Sequence, residues 1–393
     1  MLEERTLIYY SPKPTPAFSI TDLKPQQVMD PYKPCWCGSG KKWKWCHKVR
    51  GAMRAPSFDE LHANMLDEAK KGICMHPRSP SECSNKIIRA HTVQKSGGLS
   101  AIAEQGHVIS TKAGYHALSK NDGCLVPIPV HINSASTFLG FCSTHDSDFF
   151  RPAEHNVAAL TAEVAFLLAY RAMAYEYYTK LLAERWHSIQ TMADCGQPFE
   201  NQVAIQMQFH WVLQGTRLAI QDFIRTKKQF DDAWALKSFD EICYFAVEFE
   251  ECLPVAGCGG FSPEFDFLGR TQQHLGRPDV ENIYFNWTTM NGRSVAVLAW
   301  LRSDFNYCRD FVQSFKQLPK SDYANALVRL VFEHIENIYL QPSWWNALAP
   351  DLRDRLVLKM RNGTLSGERT ACGLMQDGLF PIAKATVSNT FES

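Results

Sequence analysis

The feature that most constrains this chain is the uneven placement of its 13 cysteines along 393 residues. Seven of them fall within the first 150 residues, and several have histidine neighbours. An odd number of cysteines cannot all pair within one chain. In a reducing compartment, clustered Cys and His residues indicate metal binding before disulfides. The other six cysteines stand singly, mostly among apolar residues, which is typical of buried thiols. Metal sites are therefore expected in the N-terminal third.

The densest motif is Cys35-Trp-Cys37, followed after eight residues by Cys46-His47. Three thiolates and one imidazole form a donor set that suits tetrahedral zinc. The intervening Gly-Ser-Gly segment supplies the backbone freedom for a tight turn that folds the second pair back onto the first. The motif predicts a structural zinc site.

Residues 35–47 closely resemble the SEC-C motif, a small zinc module appended to a secretion ATPase and to many bacterial proteins. The resemblance includes every ligand and the Gly-Ser-Gly-Lys-Lys core. It implies one structural zinc ion held by the four Cys and His side chains. Along its whole length the chain is similar to bacterial proteins that carry this segment.

A basic and aromatic patch lies inside the same motif. Its members are Lys41, Lys42, Trp43, Lys44 and Trp45. Lysines neutralise phosphates and aromatic rings stack on bases, so the patch fits a nucleic acid. The same residues also fit a solvated face that binds a protein partner, and both interpretations stay open.

A second set of candidate metal ligands lies between residues 72 and 150. Cys74 and Cys83 come early, and Cys142 and His145 form a late Cys-x-x-His pair. An early cysteine knuckle and a late pair at a helix start are the arrangement of a treble-clef zinc site. His76 is an alternative ligand that could replace either early cysteine. The chain is thus expected to hold two structural zinc ions.

This region also resembles the ββα-metal core of HNH nucleases. The resemblance rests on the Ala-His91 dipeptide at the end of an apolar strand, on Asn133 before the late zinc pair, and on Asp146 directly after His145. It implies that His91 is the general base that activates water and that Asn133 orients it. Asp146 then takes the place of a catalytic-metal histidine, where a carboxylate suits a hard ion such as Mg²⁺ or Mn²⁺.

Hydrophobic periodicity predicts an α+β protein, with N-terminal zinc-binding segments and a C-terminal domain of long helices and an antiparallel sheet. Residues 57–71 carry a capping-box helix signal, residues 152–193 and 199–236 a helical hairpin, and Asn291-Gly292 a β-hairpin turn. The glycine-rich run 255–263 is interpreted as a turn. Four segments are expected: a lead-in with the first zinc module (1–56), an HNH-like domain (57–151), the helical hairpin (152–238) and an α+β domain (239–393).

The distribution of charge along the chain indicates what kind of partner it could bind. The chain has no net charge, but residues 1–100 hold 16 Lys and Arg against 9 Asp and Glu, a surplus of seven positive charges. No apolar run approaches the roughly 20 residues of a bilayer span. The first residues lack a signal-peptide pattern, so a cytoplasmic protein without membrane contact is expected.

The leading hypothesis is a zinc protein that hydrolyses phosphodiesters in DNA or RNA, since HNH modules are common in bacterial defence and mobile elements. The alternative is a non-catalytic zinc protein that binds nucleic acid or a protein partner. A hydrolase acting on a small molecule is a third interpretation.

Overall fold

The computed structural model describes residues 23–84, 86–110, 126–154, 159–275, 280–365 and 369–393. It is an α+β fold, as the sequence predicts. The chain divides into two compact units, one of residues 1–68 and 182–219, the other of residues 69–181 and 220–393. The four-segment division drawn from the sequence stays a prediction.

The helices are numbered here in chain order, leaving short 3₁₀ and π turns aside. They are α1 (His47–Arg50), α2 (Phe58–Ala69), α3 (Ser100–Ile102), α4 (Ser143–Glu154), α5 (Ala162–Gln190), α6 (Phe199–Leu236), α7 (Tyr307–Lys316), α8 (Tyr323–His334), α9 (Pro342–Ala347) and α10 (Pro350–Met360). None of these helices is both long enough and apolar enough to cross a membrane, among the residues described.

The unit of residues 1–68 and 182–219 contains the first Cys/His motif, helix α2 and the adjoining ends of α5 and α6. The predicted capping box begins α2, since Ser57 Oγ accepts the Glu60 N–H and Glu60 Oε2 accepts the Ser57 N–H. The indole N–H of Trp186 on α5 donates to the carbonyl of Met65 on α2. The motif packs a small core of its own around Trp36 and Trp43.

In the described residues, the larger unit is built on an eight-stranded antiparallel sheet. Its strands are β2 (His107–Ser110), β3 (Ile128–His131), β5 (Ile242–Phe249), β6 (Val255–Phe261), β7 (Ile283–Met290), β8 (Arg293–Leu301), β9 (Ile338–Leu340) and β10 (Val387–Glu392). They lie side by side in the order β10-β5-β8-β7-β6-β9-β2-β3. Asn291 and Gly292 both have positive φ and join β7 to β8, which confirms the predicted hairpin turn.

Both faces of this sheet are covered. On one face Trp287 joins a core with Phe311 of α7 and Phe332 of α8. On the other, Asn286 Nδ2 donates to the carbonyl of Leu168 in α5, and Tyr284 contacts Phe230 of α6. Burial on two sides explains why the central strands read as almost continuous apolar runs.

The interpretation of residues 255–263 as a turn is wrong, because residues 255–261 form the central strand β6. Two of its glycines approach α5 closely: a Cβ on Gly259 would lie 3.2 Å from Oε1 of Glu176, and one on Gly260 would lie 3.1 Å from its Cγ. The Gly260 N–H donates to Glu176 Oε1. The glycines therefore serve close helix–sheet packing in this strand.

A separate two-stranded sheet positions the second Cys/His set. Strand β1 (Ile87–His91) pairs antiparallel with β4 (Thr137–Cys142), and α4 begins at the next residue. This β-β-α arrangement places His91 opposite Thr137. The sequence prediction of one helix from residue 152 was wrong at its start, since α4 ends at Glu154 and α5 begins at Ala162.

Candidate metal centres

The first candidate centre brings together all four side chains of the first motif. Cys35 Sγ and Cys46 Sγ each lie 3.3 Å from His47 Nδ1, and Cys37 Sγ lies 3.6 Å from Cys46 Sγ. All four donor atoms lie within 4.8 Å of one another, and all four residues are buried. The chain thus forms a Cys₃His cluster able to hold a metal ion.

The separations between donors test which ion fits. Around a tetrahedral zinc ion, with Zn–S near 2.3 Å and Zn–N near 2.0 Å, a sulfur and a nitrogen are about 3.5 Å apart and two sulfurs about 3.8 Å. The observed separations of 3.3 and 3.6 Å lie close to these values. Of the three thiols, Cys46 has a lowered pKa because Cys35 and Cys37 hydrogen-bond to it, whereas the pKa values of Cys35 and Cys37 are raised. One thiolate is thus favoured by the cluster itself, and a soft cation would stabilise the other two.

The local backbone explains how the four ligands converge. Gly38 and Gly40 both have φ of +72°, the left-handed conformation that glycine adopts readily. The Cys35 N–H donates to the Lys41 carbonyl at 2.8 Å, which closes the turn between the two ligand pairs. His47 then begins α1, so the second pair sits at a helix start.

A buried carboxylate supports this centre from outside the ligand set. Asp194 is fully buried, and its Oδ2 lies 2.9 Å from His47 Nε2 and 2.6 Å from Gln206 Nε2. Arg50 forms an ion pair with the same carboxylate. Burial favours the neutral imidazole, but the hydrogen bond that His47 Nε2 donates to Asp194 and the nearby thiols raise the pKa of His47 to about 11. Such a carboxylate fixes the ring with Nδ1 directed to the metal.

The second candidate centre consists of Cys74, Cys83, Cys142 and His145, the four residues predicted from the sequence. His145 Nδ1 lies 3.4 Å from Cys74 Sγ and 3.6 Å from Cys83 Sγ. The Cys142 N–H points to Cys74 Sγ at 3.5 Å. Cys142 ends β4 and His145 lies in the first turn of α4, so the strand-to-helix junction supplies the late pair.

His76 lies beside this set as a packing residue. Its ring stacks on that of His145 with centroids 3.7 Å apart, and its Nδ1 accepts the Arg78 N–H. Trp234 contacts the same ring edge-on. Burial, reinforced by His145 and Arg78, lowers the pKa of His76 to about 3. The neutral ring packs against the cluster through its stack on His145.

His91 ends β1 and is half-buried. Its Nε2 lies 3.1 Å from the carbonyl oxygen of Ile132, which can only accept a hydrogen bond. Nε2 therefore carries the proton, and Nδ1 retains a lone pair. Burial lowers the pKa of His91, so the ring is neutral at pH 7. Asn133 is exposed in the loop directly after Ile132, so this loop supplies the contact that orients His91 through its backbone.

Asp146 is half-buried in the first turn of α4, and its Oδ1 is buried without a hydrogen-bond partner in the part of the chain described. Burial raises its pKa, while Arg171 opposes that effect. Arg171 and Glu154 influence the pKa of both His91 and Asp146. Neither of the two Cys/His clusters includes His91 or Asp146.

Arg171 and Glu154 are functional candidates that the sequence did not reveal. They form a 2.5 Å ion pair, and Arg171, only 2% exposed, also packs on the Phe150 ring. Both line a polar cavity of about 200 Å³ that Thr92, the residue after His91, also borders. Along α5, Arg171 falls in an apolar stripe, so its spacing indicated only a helix face turned to the core.

The predicted basic and aromatic patch is split between interior and surface. Trp43 is 7% exposed and packs in the core of the motif, whereas Trp45 is 66% exposed. Lys41 and Lys42 are exposed beside it, and Lys44 is half-buried. Comparisons of the chain with protein-family models, with curated proteins and with solved structures gave no match.

Proposed function

We propose that the protein is a zinc-stabilised phosphodiesterase that cleaves nucleic acid, with His91 as general base. The observation that carries the proposal is the tautomer of His91. Its Nε2–H is fixed on the Ile132 carbonyl, which leaves a neutral Nδ1 able to accept a proton. The strand β1, the strand β4 and helix α4 around it match the ββα arrangement that the HNH resemblance implies.

The structural ions are proposed to be zinc, one in each cluster, because both donor sets are Cys₃His and both have separations suited to tetrahedral zinc. In the second cluster, the ion would tie Cys142 and His145, at the junction of β4 and α4, to the preceding knuckle of Cys74 and Cys83. The β1–β4 pairing that carries His91 ends at this junction, where Ile87 lies opposite Cys142.

In the proposed reaction, His91 Nδ1 takes a proton from a water molecule, and the water oxygen attacks the phosphorus as the bond to the leaving ribose or deoxyribose oxygen breaks. The leaving oxygen takes up a proton from solvent. Asp146 would hold the divalent cation, since its buried Oδ1 lacks a partner that a cation would provide. A bound Mg²⁺ or Mn²⁺ supplies charge stabilisation to the phosphoryl oxygens.

The test is cleavage of plasmid DNA and of RNA with Mg²⁺ or Mn²⁺, comparing the wild type with His91→Ala. Removal of a general base is expected to slow cleavage by about 10²- to 10⁴-fold. The matched control is His274→Ala, an exposed histidine of the same unit, which should cleave at the wild-type rate. Zinc content should be two ions per chain in all three proteins. A wild type that cleaves neither substrate, or a fully active His91→Ala, refutes the proposal.

A non-catalytic zinc protein that binds nucleic acid or a protein partner is the second candidate. The exposed Trp45 favours it, because Lys42 and Lys44 lie over its ring and form a binding face that needs no catalytic residue. Binding of nucleic acid without cleavage by the zinc-loaded wild type would select this function.

A further inference from the structure

The first Cys/His motif and its flanks are strongly basic. Residues 32–50 contain six Lys and Arg and no Asp or Glu. Arg50 is compensated by the buried Asp194, which leaves five lysines. Three thiolates and a neutral imidazole around Zn²⁺ carry one net negative charge. The segment of residues 32–50 therefore keeps a surplus of about four closely spaced positive charges, which favours the binding of a polyanion.

Two aromatic rings stand out on this basic surface. Tyr32 and Trp45 are each 66% exposed, although large aromatic side chains usually bury most of their area. Lys44 Nζ lies 4.1 Å from the centroid of the Tyr32 ring and 4.6 Å from that of Trp45. Lys42 Nζ lies 5.8 and 5.5 Å from the same two centroids. The two lysines thus hold both rings on the surface through cation–π contacts.

A groove in the same unit extends this surface. Its volume is about 640 Å³, and Trp45 and Lys41 line it together with Arg217 and His187. Among the described residues that line it, Lys41, Arg50 and Arg217 are cationic and none is Asp or Glu, with Arg50 already paired to the buried Asp194. Among the described residues Arg217 pairs with Glu184, and the Arg217 side chain is 63% exposed, so the pair is weak and the guanidinium can reach a ligand. His187 Nδ1 is buried without a hydrogen-bond partner in the described chain, which leaves one unused polar atom in the wall.

We propose that this unit binds single-stranded nucleic acid. The inference rests on the proposed function, because the bound polymer would be the substrate of the nuclease. Tyr32 and Trp45 stack on bases, Lys42 and Lys44 neutralise the flanking phosphates, and the strand continues along the groove to Arg217. Bases in a duplex are already stacked on each other, so exposed rings favour an unpaired strand. An acidic peptide would use the lysines but would gain little from two flat rings.

The test uses the full-length chain with His91→Ala, zinc-loaded and without Mg²⁺ or Mn²⁺, so that binding is measured without cleavage. Fluorescence anisotropy is recorded with a labelled oligothymidylate of about 15 nucleotides, a site size typical of such surfaces. A duplex of equal length and an oligoglutamate of equal charge are the competitors. We expect the single strand to bind more tightly than either.

Variants separate stacking from charge. Trp45→Ala should weaken binding by about 10-fold and Trp45→Phe by less than about threefold, because a ring is kept. Phe380→Ala, an exposed aromatic residue of the other unit, is the matched control and should bind as the parent does. The double change Lys42→Gln and Lys44→Gln should lower the slope of log K against log salt by about 1.4.

Several outcomes would overturn the inference. A duplex bound as tightly as the single strand, together with an unchanged Trp45→Ala, would remove the stacking role. An oligoglutamate that binds more tightly would point to an acidic protein partner. The result is separable from the nuclease proposal, because binding that persists when the wild type cleaves nothing supports this inference alone. Cleavage that proceeds at the same rate in Trp45→Ala would support only the nuclease proposal.

Discussion

The substitution Asp194→Asn tests whether a carboxylate outside the ligand set controls metal affinity at the first centre. Asp194 is fully buried and contacts His47, Gln206 and Arg50. Asparagine has nearly the same shape but no charge, so Arg50, itself 8% exposed, loses its counter-charge. Removing one member of a buried ion pair costs about 3–5 kcal/mol of stability.

The same change weakens the support of the metal ligand. Loss of such a carboxylate typically lowers metal affinity about 10- to 100-fold, which corresponds to about 1.4–2.7 kcal/mol. The second centre lies in the other unit and is supported independently of Asp194. Asp194→Asn is therefore expected to weaken the binding of one zinc ion per chain and leave the other unchanged.

The assay is competition with a chromophoric chelator, which counts the ions released at each chelator concentration. Wild type should release two ions over similar ranges, whereas Asp194→Asn should release the first at a lower chelator concentration. Asp266→Asn is the matched control, because Asp266 is also fully buried and pairs with Arg270 in the other unit. It should lower stability without early zinc release. The reasoning would be refuted if Asp194→Asn held both zinc ions as firmly as wild type does. It would also be refuted if Asp266→Asn released a zinc ion equally early.

Three further predictions concern the larger unit. Cys83→Ser should leave one zinc ion per chain by metal analysis, whereas Cys258→Ser, at an isolated buried thiol, should leave two. Tyr339→Phe removes the hydroxyl that accepts the buried Ser136 N–H, so urea unfolding should show a loss of about 1–3 kcal/mol. Burial holds the pKa of His334 well below its usual value of about 6.5. Above about pH 6.5 the His334 ring is neutral in both the folded and the unfolded chain. Below it the unfolded chain takes up a proton that the folded chain does not, so stability falls as the pH falls, by up to about 1.4 kcal/mol per pH unit. His334→Gln should show a shallower decline between pH 7 and pH 5.

The parts of the fold that could be predicted depend on neighbours in sequence. The capping box of Ser57 and Glu60 and the hairpin turn at Asn291 need only a few adjacent residues, and both form as expected. The two ligand sets are nearly as local, because each contains a close Cys or His pair whose chemistry restricts its surroundings.

The parts that were missed depend on distant packing. The pair of Asp194 with His47 joins residues 147 positions apart, and no spacing rule connects them. Glycines in β6 resembled a turn, because the sequence does not show that Glu176 of α5 approaches that strand. Arg171 fits an apolar stripe by spacing, and only the structure reveals Glu154 as its partner.

The two centres differ in what their metal has to support. In the first, the small core consists of Cys35, Trp36, Cys37, Trp43 and Cys46, so three of its five buried members are ligands themselves. A segment with so little apolar area depends on its ion for folding. In the second, the ligands are also held by the β1–β4 pairing and by a buried aromatic layer around α4. Loss of metal should therefore dismantle the basic and aromatic face of the first motif, while the second centre keeps its strands and loses chiefly the precise placement of His91. Chelation is therefore expected to unfold the first motif and abolish the proposed nucleic-acid binding, while the β1–β4 pairing of the second centre persists with His91 misplaced.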